Sequence, residues 1–430
     1  MWLRTLMGRG AWALTLLIPA IALAAEAPRG GPERTLRGDW AVVHATVHPL
    51  ALAPVPTAPL PDATVVVQGG VVRCVGRCAV PAGVPVFDAE GATLLPGFVE
   101  VAAHLGQLEI WAEPASHDGA PAGTDNAAHV RARDGLVLQS RVVQAARWGG
   151  VVAAVSRPLG DALVVGSGVA FRTAAQGEGV TGAVLADRAG VHVQLGEAGK
   201  RAAGRPLVAA RSGQIAMLRA LLAAARAEIA AGAKRTAPDA NLGSSSDRAA
   251  LLALAPVLDR TQPLVVHAHR AEDIEAALRL CQQEKLRMIV VGGGEAWRVA
   301  AALAAADVPV VLAPGRVRAL TFETRHARED AARILHAAGV RVALATGSPH
   351  GARNLRWEAG WQVGLGLPAD AALAAVTVVP AQLFGLETAL GVRVGSAAGF
   401  VLMRGDPLGL DGRVVAVATG NLLEIQPRQR

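Results

Sequence analysis

His267 and His269 stand two residues apart in PLVVHAHR, at the end of an apolar run. On a strand that spacing turns both imidazoles to the same side, where they can ligate a divalent ion or carry a proton. Arg270 and Asp273 open the segment that follows. His104 closes LPGFVEVAAH, and His350, Arg353 and Asn354 come just after VRVALATGSP. Glu295 follows VVGGG and opens a helical stretch. Each of these has a plainer reading beside the chemical one: a hydrogen-bonded histidine, an acid at a helix start, an arginine in a loop. His44, His48, His117, His129, His192, His326 and His336 lack ligand spacing. GSGVAF at Gly166 is not a nucleophile elbow, and GGGEAW lacks the glycine spacing of a dinucleotide fingerprint.

Alternating strands and helices must position these residues. PLVVHA precedes the helical AEDIEAALRLCQQE, and LRMIVVGGG precedes EAWRVAAALAAA. VPVVLAP precedes a helix around Glu329 to Ala338, and VRVALATG precedes helical sequence around Arg356. GGVVAAVS is an earlier strand. Ser212 suits the N-cap of a helix running to Ala231, Lys234 to Ser246 reads as a polar loop, and Asp247 caps the next helix. Fully apolar strands spaced by amphipathic helices imply a parallel sheet buried on both faces. Their number predicts an α/β fold, a (β/α)8 TIM barrel rather than an open sheet. Residues 158–206 are Gly-rich and read as an irregular excursion near the barrel mouth.

Trp40 to Leu95 holds short β-rich runs, expected as a small antiparallel sheet with a loop at Ala53 to Pro61. Gly391 to Ile425 returns to short strands. Sequence of this kind at both ends predicts one composite β-sandwich satellite, residues 36–94 with 389–426, around a barrel at 95–388.

The 430 residues are 52% hydrophobic, enough for a large core. Arg4 and Arg9, the apolar run Ala11 to Leu23 and the small-residue site Ala22-Leu23-Ala24 predict a cleavable signal peptide over 1–24, hence a periplasmic, exported protein. The rival is a retained anchor, for which the run is short. No later segment predicts a membrane span. Removing the leader takes away two arginines and no acid, so the formal charge falls from +7 to +5. The basic residues are scattered, and only Lys200, Lys234 and Lys285 are lysines, which argues against nucleic acid as a partner. Cys74 and Cys78 either pair in an oxidising compartment or are ordinary residues of the β region.

Four stretches together resemble the amidohydrolase superfamily, especially its imidazolonepropionase-like and Xaa-Pro-dipeptidase-like branch. They are GATLLPGFVEVAAHLG, PLVVHAHRAEDIEAALRL, LRMIVVGGGEAW and a long last stretch. That last stretch is GVRVALATGSPHGARNLRWEAG, continued by AALAAVTVVPAQLFGLE and LGVRVGSAAGFVLMRGDPL. The resemblance runs from about Trp40 onward, in family order. It implies metal ligands at strand ends: His-x-His on strand 1, a carboxylated Lys or Glu on strand 4, His on strands 5 and 6, and on strand 8 an Asp that also serves as general base. It puts His104 in the second position of the first pair and Ala102 in the first. It puts His267 on strand 5, Gly292 in place of the strand-6 His and Gly347 in place of the Asp. No lysine falls in a recognisable strand 4. His104 and His267 are thus the remnant ligands, where a catalytic zinc usually takes three. LGQLEI after His104 resembles a divergent exported group with a degenerate metal site.

Two functions follow from the resemblance. The first is a non-catalytic or weakened protein that binds a small molecule or short peptide, with His269, Arg270, Glu295, His350, Arg353 and Asn354 as candidate binding residues. The second is an active hydrolase of non-peptide carbon–nitrogen bonds or small peptides, using one divalent metal such as zinc at His104 and His267 plus a further ligand.

Overall fold

The computed structural model describes residues 34–48, 50, 58–118, 125–160, 162–174, 179–200, 209–232, 245–315 and 318–427. The leader predicted over 1–24 lies outside them, as does most of the loops predicted at 53–61 and 234–246.

One six-stranded sheet supplies much of the parallel pairing. Val191–Gln194, Leu264–Ala268, Met288–Gly292, Val310–Leu312 and Val342–Leu344 lie side by side, all parallel, and Val164–Ser167 adds an antiparallel edge. Their interiors are valine, isoleucine and leucine because helices or the opposing strands cover both faces. The helix Ala271–Glu284 shows the matching pattern: Ala271, Ile274, Ala277, Leu278 and Cys281 are buried on one stripe. Burying a side chain the size of Ile274 contributes about 1.5–3 kcal/mol.

A second sheet pairs Phe98–Glu100 parallel with Val151–Ser156, then antiparallel with Val169–Arg172 and Val184–Ala186. The stretch 158–206, expected to be irregular, therefore holds four short strands. They were hidden because glycines break them before any alternation accumulates. Two smaller corrections concern caps. Ser212 and Asp247 lie inside the helices Arg211–Gly232 and Ser245–Leu252, not before them.

The third sheet has nine strands drawn from both ends of the described chain. Its order is Arg34–Arg37, Leu422–Ile425, Arg413–Thr419, Gly399–Arg404, Thr93–Pro96, Trp40–Val47, Leu60–Gln68 and Val71–Gly76, with Val86–Asp88 also paired to Trp40–Val47. It has its own apolar cluster, in which Trp40 meets Phe400 edge-on at 5.7 Å. The sheet is not wholly antiparallel as expected. Val86–Asp88 and Thr93–Pro96 run parallel to Trp40–Val47, because both return through crossovers rather than hairpins. Cys74 and Cys78 are joined by a disulfide beside this sheet. The chain leaves for the second sheet at Gly97, where a Cβ would stand 2.3 Å from Val152 Cγ1, so only glycine passes.

Among the described residues no ladder joins Val342–Leu344 to Phe98–Glu100. A buried carboxylate makes the link. Glu100 Oε2 accepts from Thr346 N at 2.9 Å and Oγ1 at 2.7 Å, while Oε1 accepts from Ala102 N at 2.9 Å. Burial outweighs these bonds and raises the Glu100 pKa above its ordinary 4.5.

Two outcomes follow. The folded state holds the Glu100 proton to higher pH than the unfolded chain does. Its contribution is full below the unfolded value and is lost as pH rises through the folded one. Urea denaturation across this range should show the native protein losing stability relative to Glu100→Gln as pH rises. A pH-independent difference would refute the assignment. Burial also pushes the Cys281 thiol up to about 12. Iodoacetamide should leave Cys281 unmodified in the native protein and alkylate it after unfolding, with peptide mapping recovering Cys74 and Cys78 linked.

Candidate functional site

The polar residues of the two parallel sheets gather at their strand ends. His267 is the fourth residue of Leu264–Ala268, and its Nε2 lies 3.0 Å from Nδ1 of His192 on the neighbouring strand Val191–Gln194. The two rings are 5.3 Å apart and tilted by 32°. His192 is only 2% exposed, and its Nε2 presses on Gly168, where a Cβ would come within 2.7 Å.

His104 sits in left-handed backbone at φ +51°. Its Nδ1 lies 3.2 Å from the carbonyl oxygen of Arg157. A carbonyl only accepts, so Nδ1 carries the proton and Nε2 the lone pair. Arg157 follows directly on the strand Val151–Ser156, and its Nη1 donates to Pro158 O at 3.1 Å. Burial lowers the Arg157 pKa to about 10, which leaves it a cation at neutral pH. Burial and then the Arg157 charge hold His104 down to about 3. The same two causes, in the same order, hold His192 and His267 well below the ordinary histidine value. The site is therefore one fixed cation among neutral imidazoles.

The other sequence candidates are placed differently. The His269 carbonyl accepts from Glu295 N at 2.7 Å. Glu295 is 1% exposed and its Oε2 accepts from Ala271 N at 3.1 Å, so it holds the start of the helix Ala271–Glu284. Arg270 pairs with Glu272 at 3.1 Å, and Asp273 with Arg211 at 3.0 Å. His350 and Arg353 are exposed, and the Arg353 backbone packs against Gly149. Asn354 is half-buried and makes no side-chain cap for the helix Leu355–Gly364. The structure thus brings His104 and His267 together and sets His269 beside them. It shows no bond from them to His350, Arg353 or Asn354.

His192 and Arg157 were missed. His192 lay in a stretch read as irregular, so its strand went unrecognised. Arg157 could have been found as the first residue past an apolar barrel strand, the position where such folds place their chemistry.

These residues do not fit a resident divalent ion. Among the described residues no group of three or more His, Cys, Asp or Glu is placed to hold one. His267 Nε2 is committed to His192, His104 Nδ1 to a carbonyl, and a guanidinium charge stands beside both. The position aligned with the strand-6 ligand, Gly292, has φ +98°, and a Cβ there would meet His269 Cε1 at 2.7 Å.

No protein-family model matches the chain. It is 28% identical over 339 residues to amidohydrolase tasK of Hapsidospora irregularis, covering 69% of this chain. The chain spans only 33% of that relative's length. The solved structure of an amidohydrolase from Thermotoga maritima MSB8 superposes with a TM-score of 0.81 at 25% identity, over 90% of this chain and 100% of that one. A prolidase complexed with N-methylphosphonate-L-proline shares the fold, with a TM-score of 0.58 at 19% identity over 90% and 100% of the two chains. In fold and in sequence, the chain is a member of the amidohydrolase superfamily.

Proposed function

We propose that this chain is an exported amidohydrolase-superfamily protein that binds a small molecule or short peptide where its relatives hold metal, with weak hydrolysis or none. The division is a leader at 1–24, a closed barrel at 95–388, and a satellite from 36–94 and 389–426. The family reaction is metal-dependent hydrolysis of amide or cyclic amide bonds, or of small peptides. The observation that carries the reading is Arg157, a positive charge standing among the imidazoles that the resemblance assigns to a metal. A fixed cation and a divalent ion within a few ångströms repel by about 2 kcal/mol or more even in a watery dielectric, and by far more when buried. Gly292 and Gly347, aligned with two vacated ligand positions, support it further. Both have positive φ, at +98° and +62°, which disfavours the His and Asp of the family pattern. The bound analogue of the prolidase favours a short peptide or amino-acid derivative over other ligand classes.

The test is metal content. Protein spanning residues 25–430, purified without chelator or nickel, should carry no stoichiometric zinc, iron or manganese by plasma mass spectrometry. About one ion per chain, lost in His267→Ala, would establish the single-metal hydrolase instead. Restoring the pattern with Ala102→His, Gly292→His and Gly347→Asp together should not recover metal. It should lower the melting temperature, since the Gly292 change strikes His269 in a strained backbone. Recovery of tight zinc binding would show a site merely stripped of side chains.

A further inference from the structure

Buried guanidinium groups elsewhere in this protein are answered. Arg147 Nε lies 2.5 Å from Glu424, and Arg147 also donates to Thr173 O. Arg356 donates to the carbonyls of Gly409 and Gly412 at 2.8 and 2.7 Å. Arg157 is different. Of its five N–H donors, the bond seen goes to Pro158 O, and no carboxylate supports its charge among the described residues. Its neighbours are imidazoles, which are held neutral and offer no counter-charge. A cation kept from water without a partner is costly, and proteins otherwise pair or expose it. Arg157, His104 and His267 are each only partly buried, so the cluster can still be reached from outside.

We infer that Arg157, with His104 and His267, forms an anion site for the carboxylate of a small ligand, with an adjacent N–H of that ligand directed at Nε2 of His104. The guanidinium fork matches a carboxylate, and charge-assisted bonds of this kind are about twice as strong as neutral ones. The Nε2 lone pair of His104 asks for a donor beside the acid, as in an N-acyl amino acid or the C-terminal residue of a peptide. His192 positions His267 through their shared bond and does not itself face the ligand. The inference rests on the metal-free reading above, and it adds the ligand's charge and the residue that answers it.

The probes are N-acetylglycine, acetate and the neutral N-acetylglycinamide, titrated calorimetrically into the mature chain, with metal content measured on the same sample. N-acetylglycine should bind most tightly, acetate more weakly, and N-acetylglycinamide not measurably. Arg157→Gln should weaken N-acetylglycine by at least about tenfold, and Arg157→Lys, which keeps the charge but not the fork, by less. Histidine ring resonances read the same event without a variant. N-acetylglycine should shift His104 and His267 and leave the exposed His336 unmoved. Equal binding of acid and amide, full affinity in a folded Arg157→Gln protein, or no binding with unmoved His104 and His267 in metal-free protein would each overturn the site. A stoichiometric metal would instead overturn the reading beneath it, whatever the anions do.

Discussion

Strands buried on both faces leave polar side chains only the strand ends to occupy. This constraint organises the molecule. Val151–Ser156, Leu264–Ala268 and Val342–Leu344 are apolar through their interiors and become polar within a residue or two of their C-terminal ends. Ser156 and Arg157, His267 and His269, and Thr346 all fall there. Glu100 is the same case on the first strand, and its carboxylate is satisfied by Thr346 from the last one. The groups that could do chemistry and the groups that hold the strands together thus share one rim.

On that rim the electrostatic arrangement is the reverse of a metal site. A hydrolytic metal needs a shell of anionic and neutral donors around a positive ion. Here the positive centre is covalently part of the chain, and the imidazoles around it are neutral because it is there. Such a centre polarises what it binds but has no open coordination position and activates no water. It also selects by charge, and a metal ion competing for the same histidines would have to overcome that charge.

The long, regular part of the fold was legible in the sequence. The helix Ala271–Glu284 was read to the residue, because its apolar stripe is unbroken and apolar strands flank it on either side. The β-rich ends were recognised, but the pairing directions within them were not, since alternation reports a strand and says nothing of its neighbour. The site was half legible. His267 and His104 could be found by resemblance, and their strands gave the positions. His192 and Arg157 could not, because their roles depend on two strands meeting across sequence gaps of about a hundred residues, 192 to 267 and 104 to 157 being joined only in space. Glu295 shows the opposite error. A carboxylate at a helix start suggested binding, and the structure turns it inward to hold the neighbouring helix.

The nine-stranded sheet has a consequence for how the chain comes to be folded. Thr93–Pro96 receives its partner Gly399–Arg404, and Arg34–Arg37 its partner Leu422–Ile425, only from the far end of the polypeptide. While the chain is being made, these early strands have open edges, and open edges pair with whatever strand is nearest, including one from another molecule. The barrel between them can form while the sheet is still half built. Synthesis therefore ends with a closing step, in which the last strands slot between the first. Until then the early strands stay vulnerable, to a degree set by the length of barrel the ribosome must still produce.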